Sequence, residues 1–237
     1  RAGRDLTASL PDGLHVVLCG TGSPLPDPAR AEACTLIIAG RTLLVIDAGD
    51  GAARNLGRWG VPLGRVQAVL ITHLHSDHVE GLPPLALQHW VGGAATRPLR
   101  LLGPAGVEQL AAGYTMAFQA DAGWRTAHHG AAIAPPGGAG MTGEVIRPGV
   151  VWNRDGVTVT AFAVNHAPVA PALGYRIDYK GRSVVISGDT AATPAMATAA
   201  RGADVLVHEA LQPKLLALLT NALAAKGQAR TAQITRD

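Results

Sequence analysis

The feature that most constrains the fold is a succession of short apolar segments, rich in Val, Ile and Leu, each closed by glycine or a polar residue. In the first half these are "LHVVLCG", "CTLIIAG", "RTLLVIDAG", "VQAVLIT" and "LRLLGP"; in the second half they are "VTVTAFAV", "ALGYRIDY", "RSVVISG" and "ADVLVHEA". Runs of this length and β-branched content read as strands. Helical signals fall between them. "AARNLGRWG" reads as a short helix, "VEGLPPLALQHWV" as a helix interrupted by its prolines, and a further helix is expected around 104–121. "LQPKLLALLTNALAAK" reads as an amphipathic helix, and the Gly/Pro-rich stretch 122–142 as a long surface loop or lid carrying Trp124, His128 and His129. No internal repeat is evident. Two strand-rich halves with helices attached predict an α/β (α+β) chain of two packed sheets with helices outside, a four-layer αββα sandwich. At 237 residues the chain is long enough to bury such a core as a single domain over 1–237.

Composition narrows the function. With 48% apolar and 16% charged residues, the chain is not a disordered one. A net charge of +3, with Lys and Arg scattered singly, leans towards anionic partners but makes no nucleic-acid-binding stripe. No apolar run is long enough to span a bilayer, so no membrane partner is expected. The sequence opens on Arg1, where a targeting signal would no longer be visible, so cytoplasm and periplasm both stay open. Antiparallel pairing of their segments could join Cys19 and Cys34, yet two buried free thiols are the expected state.

The chemistry concentrates in "ITHLHSDHVEGLP", where His73, His75, Asp77 and His78 follow a short strand in the spacing H-x-H-x-D-H. If the chain stays extended to residue 77, alternation places His73, His75 and Asp77 on one side. A helix starting near His78 would return its imidazole to the same point. Four ligands then serve two neighbouring sites, a His pair for one metal and Asp plus His for the other. Imidazole and carboxylate without thiolate suit zinc, with manganese or iron as further options. Such a site needs ligands from elsewhere, and two apolar runs end on His166 and Asp189. His15, inside the first strand, is expected to be structural.

"GTGSPLP", "VIDAG", "THLHSDHVEGLP", "NHAPVAPALGYRI", "SGDT" and "DVLVHEA", in this order, resemble the metallo-β-lactamase superfamily, and within it the ribonuclease Z and arylsulfatase-like branch. The resemblance covers about residues 14–212. It implies an αββα sandwich of the metallo-β-lactamase type with two Zn²⁺ between the sheets. His73, His75 and His166 would hold one zinc, Asp77 and His78 the other, and Asp189 would bridge them. Asp77 would also orient the attacking water and take its proton, and Asp47 would hold a ligand histidine in its metal-binding tautomer. His208 and Glu209 would assist the leaving group.

Two departures shape the expectation. The stretch between His166 and Asp189 has room only for two strands and the turn "YKGR", not for the long tRNA-gripping arm that ribonuclease Z proteins commonly insert there. The two histidines that the family places after the "HEA" segment are not found before Asp237. The chain is therefore expected to continue past Asp237, the second metal site to be weakly held, and the terminus beyond the helix ending near Lys226 to be frayed. The leading expectation is a zinc-dependent dinuclear hydrolase of a phosphodiester, RNA 3′ processing included, or of a sulfate ester. The alternatives are a β-lactamase or lactonase-like hydrolase and a non-catalytic binding member. Asp189 weighs against a lactamase, because lactamases of the superfamily lack that bridging carboxylate, whereas lactonases keep it. The expected partner is a small or nucleotide-like anionic ester, with tRNA retained as a candidate and a homodimer left open.

Overall fold

The computed structural model describes residues 5–25 and 27–236. It contains a six-stranded sheet, ordered β1 to β6, and a five-stranded sheet ordered β11-β10-β9-β8-β7. In the first sheet, β1 (Leu14–Gly20), β2 (Cys34–Ala39) and β3 (Thr42–Ile46) are antiparallel neighbours. From β3 onward the pairing is parallel, through β4 (Ala68–Leu70), β5 (Leu99–Gly103) and β6 (Met141–Val145). In the second sheet, β7 (Gly149–Arg154), β8 (Val157–Ala163), β9 (Leu173–Tyr179) and β10 (Arg182–Ile186) run antiparallel, and β11 (Val205–Val207) joins β10 in parallel.

The period of two along each strand builds the layers. On β2 and β3, Leu36, Ile38, Leu43 and Val45 enter the core beneath the helices, while Ile37, Leu44 and Ile46 enter the core between the sheets. Both faces of these strands are covered, which is why β3 and β4 read as unbroken apolar runs. The second sheet contributes Val159, Tyr175, Ile177 and Val184 to the inter-sheet core. Helices α1 (Ala52–Arg58), α3 (Leu82–Leu87) and α4 (Val107–Ala117) cover the outer face of the first sheet through Leu56, Leu82, Leu85 and Val107. On the second sheet, the outward Arg176 bonds the carbonyls of Ala199 and Arg201 at the end of α6 (Pro194–Ala199). The predicted αββα layering is thus present. Residues from His208 onward form a separate compact unit, in which α7 (Pro213–Ala225) packs on α8 (Ala229–Arg236).

Several sequence expectations are corrected. Cys19 and Cys34 form a disulfide rather than two free thiols. The ladder of β1 and β2 shifts register between Leu18 and Gly20, and this bulge brings Cys19 within 5.0 Å, Cα to Cα, of Cys34 at the start of β2. The stretch 122–142 is not one loop: its first part belongs to helix α5 (Gln119–His129), and a helix expected to run to 121 divides at Phe118 into α4 and α5. The prolines do not interrupt a helix after "VEG". Pro83 and Pro84 occupy the first turn of α3, where an amide hydrogen would have no helical partner. Strands β6 and β7 were not foreseen, because "MTGEVIRPGVVWN" mixes polar residues and proline into its runs. The segment after Lys226 is not frayed but turns at Gly227, φ 74°, into α8. Among the described residues no helix is long and apolar enough to cross a membrane.

Candidate metal centre

The polar residues gather where strands end. Asp47 directly follows β3, Thr72 and His73 follow β4, His166 lies just beyond β8, and Asp189 just beyond β10. After His73 the chain stays extended only to His75, φ −66° and ψ 151°, and the one-turn helix α2 (Ser76–Val79) then begins. Helix therefore starts before Asp77 rather than at His78, so Asp77 and His78 reach the centre as consecutive helical residues. Two close approaches make the turn fit. A Cβ on Gly49 would lie 2.0 Å from the carbonyl oxygen of Asp77, and one on Gly81 would lie 2.0 Å from that of Gly49. Only glycine fits at either position.

Two sets of ligand atoms converge: His73, His75 and His166, and His73, His78 and Asp189, each set lying within 4.8 Å. His73 Nε2 is 3.0 Å from His75 Nδ1, and His166 Nε2 is 3.3 Å from that same atom. His78 Nε2 is 3.5 Å from Asp189 Oδ1 and 3.7 Å from Asp77 Oδ2. Nitrogens about 2.0–2.1 Å from a zinc in a tetrahedron stand about 3.3 Å apart, so the spacing of the histidine set suits such an ion. The donors are nitrogen and oxygen only, as the sequence led us to expect.

Beneath the ligands lies a support that the sequence reading only half anticipated. Asp47 Oδ2 is 2.8 Å from His78 Nδ1 and accepts from the Thr72 hydroxyl, while Oδ1 accepts from the Thr72 amide at 2.8 Å. The Thr72 hydroxyl, donating to Asp47, is left to accept from His73 Nδ1 at 3.1 Å. With both Nδ1 atoms so engaged, His73 and His78 direct Nε2 into the cluster. Asp47 adopts φ 57°, a left-handed conformation rare outside glycine, and these bonds hold it there. Thr72 was missed, although a threonine closing a wholly apolar strand next to the motif was the available signal.

Burial, reinforced by the neighbouring His78, pushes His73 down to about 3, so its ring is neutral and its lone pair available. Burial also works against a charged His78, but the carboxylates of Asp47 and Asp189 outweigh it and lift this residue to about 10. Burial raises Asp77. Asp189 is likewise opposed by burial, yet its hydrogen bond with His78 holds it below the ordinary carboxylate range. Carboxylates thus surround the buried ring of His78 as they would a cation. His15 Nε2 lies 2.8 Å from the Pro11 carbonyl oxygen, in keeping with a structural role. His208 and Glu209 open the second unit, where His208 Nδ1 lies 2.8 Å from the Glu209 carbonyl oxygen.

The profile of the metallo-beta-lactamase superfamily matches residues 27–227. A ribonuclease Z from Mycobacterium marinum is 38% identical over 205 residues, covering 86% of this chain and 72% of that protein. Among solved structures, the short form of human tRNase Z aligns with a TM-score of 0.62 at 21% identity, over 81% of this chain and 76% of that one. The metallo-beta-lactamase fold protein YhfI from Bacillus subtilis gives the same TM-score of 0.62 at 20% identity, over 82% and 71% of the two chains. These two structures share the fold.

Proposed function

The chain belongs to the metallo-beta-lactamase superfamily and is a metal-dependent hydrolase within it, and from that premise we propose that the bond it cuts is an RNA phosphodiester, as in the 3′ processing of tRNA. The observation that carries this reading is the convergence of His73, His75, His78, His166 and Asp189 from both sheets, in a chain so similar to ribonuclease Z proteins. In this reading His73, His75 and His166 would hold one zinc ion, and His78 with Asp77 a second, with Asp189 available to both. Ions held there supply Lewis-acid chemistry, polarising a phosphoryl oxygen and acidifying water. Asp77, buried on α2 and 3.7 Å from His78 Nε2, would accept the proton of the attacking water at a carboxylate oxygen. Asp47 and Thr72 engage Nδ1 of His78 and His73, so each ring, once neutral beside a bound ion, would present Nε2 to it.

One observation favours a second reading. The chain between His166 and Asp189 is taken up by β9, the turn at Lys180 and Gly181, and β10. That compact connection suits a smaller anionic ester, such as a sulfate or a simple phosphodiester. The deciding experiment incubates the zinc- or manganese-loaded protein with a 3′-extended tRNA precursor, bis(p-nitrophenyl) phosphate, p-nitrophenyl sulfate and nitrocefin. Endonucleolytic release of the tRNA trailer supports the first reading. Turnover confined to the sulfate or to nitrocefin would overturn it.

A further inference from the structure

At the opposite end of β4 from the metal centre lies a groove of about 740 Å³. Gln67, just before β4, lines it together with Arg100 on β5, Thr142 on β6, Trp152 and Arg154 on β7, and Arg97 on the approach to β5. From Gln67 to His73 is about 20 Å of extended chain, at roughly 3.3 Å per residue. The guanidinium carbons of Arg154 and Arg100 lie 5.2 and 5.9 Å from the centre of the Trp152 ring, so the indole fixes two cations at the groove wall. Arg100 is also paired with Glu144 at 2.6 Å, and Asp155 contributes one carboxylate to the lining. The balance of the groove is cationic.

A second, independent observation concerns the tryptophan in the groove wall. Trp152 is only 5% exposed, and its Nε1–H has no hydrogen-bond partner among the described residues. A buried donor without an acceptor is costly, and because Nε1 is closed to solvent it becomes satisfied only when the groove wall yields enough for an acceptor oxygen to reach it. Guanidinium groups and an indole N–H are all donors, and the complementary group is one rich in acceptor oxygens and negative charge.

We propose that this groove binds phosphate groups of the RNA backbone while the metal centre at the other end of the sandwich cuts that RNA. The inference rests on the RNA reading above and gives it a means of holding substrate without an inserted arm. A folded RNA spans both places, whereas a small ester at the metal centre reaches only one. The groove therefore acts on large substrates and leaves small ones untouched.

The test compares wild type with Arg97→Gln/Arg154→Gln, both exposed positions, and with Trp152→Phe, which keeps an aromatic filler but removes the N–H. Binding of a 3′-extended tRNA with a non-hydrolysable linkage is followed across salt concentration, and hydrolysis of bis(p-nitrophenyl) phosphate is measured in parallel. The double variant is expected to bind RNA about 10-fold more weakly, with the slope of log affinity against log salt reduced by about 2. Trp152→Phe should weaken RNA binding about 3-fold, the loss of a single donor. The kcat/KM for the small diester should stay at the wild-type value in both. Unchanged RNA affinity and salt slope in the variants, with a wild type that binds RNA, would overturn the groove assignment alone. A wild type that hydrolyses the small diester but shows no salt-dependent RNA binding would overturn the RNA reading, and the groove assignment with it.

Discussion

In the proposed reading the residues of the centre divide between those that would hold an ion and those that aim them. Asp77 stands in the first group, on α2 with its carboxylate 3.7 Å from His78 Nε2. Asp77→Ala is expected to lower kcat by at least ~10²-fold while the circular dichroism spectrum stays native, because the proposed proton acceptor and ion contact would be lost together. Near-native turnover with full metal content would remove Asp77 from the reaction. Asp47 and Thr72 stand in the second group. In Asp47→Asn an amide nitrogen or a single oxygen must replace a carboxylate that now accepts from both His78 and Thr72. Metal affinity should fall about 10–100-fold, read by competition with a chromophoric chelator. Thr72→Val preserves shape but strips the hydroxyl from a buried network. It should cost about 1–3 kcal/mol in urea unfolding and reduce metal content as well. A variant with unaltered stability would show that the hydroxyl holds neither histidine.

At the scale of elements, two short connections hold the centre in place. The turn from β3 and the start of α2 touch through Gly49 and Asp77, so Gly49→Ala should displace α2 and abolish metal uptake even where the protein remains soluble. Retained stoichiometric metal would show that the turn can yield. The other connection is the loop between β1 and β2, closed by the Cys19–Cys34 disulfide at a sequence separation of 15. Within it, Ala31 accepts from the amides of Thr21 and Gly22, Glu32 exchanges bonds with Asp50, and Ala33 accepts from the amide of Gly49. The loop is thereby tied to the turn that carries Asp47. Closing a loop of this length stabilises a fold by about 3 kcal/mol in the chain-entropy account. Cys19→Ala/Cys34→Ala should lose about 2–3 kcal/mol in denaturant unfolding, and a loss well under 1 kcal/mol would mean the bridge adds nothing to stability.

For the sandwich as a whole, the candidate ligands come from far-apart parts of the chain. His73, His75 and His78 follow a strand of the first sheet, whereas His166 and Asp189 follow strands of the second. An ion held between them would link the two sheets at one end of the core. Ligands that bind only the folded state raise its stability by about 2.7 kcal/mol at a hundredfold excess over Kd. Removal of metal with a chelator should therefore lower the melting temperature, and zinc should restore it. Equal melting curves with and without metal would show that the two sheets hold this end together unaided.

The sequence by itself determined most of the strands and pointed to the polar residues that gather at their ends, because both are local signals. Short β-branched apolar runs such as "TLLVI", punctuated by glycine, carry the signature of strands covered on both faces, and H-x-H-x-D-H packs three imidazoles and a carboxylate into one short turn. His166 and Asp189 were legible for the same reason, as polar residues placed straight after apolar runs. What depended on neighbours distant in the chain was decided only by the tertiary structure. Whether Cys19 met Cys34 rested on a bulge in the pairing of β1 and β2, which no spacing reveals. That Thr72 is shared between Asp47 and His73 became visible only once β3 and β4 lay side by side. The Trp152 groove needed β5, β6 and β7 to meet, strands two of which had no clear signature of their own. A hydrogen bond or an orphaned donor belongs to a pair of surfaces, and only folding puts the two surfaces together.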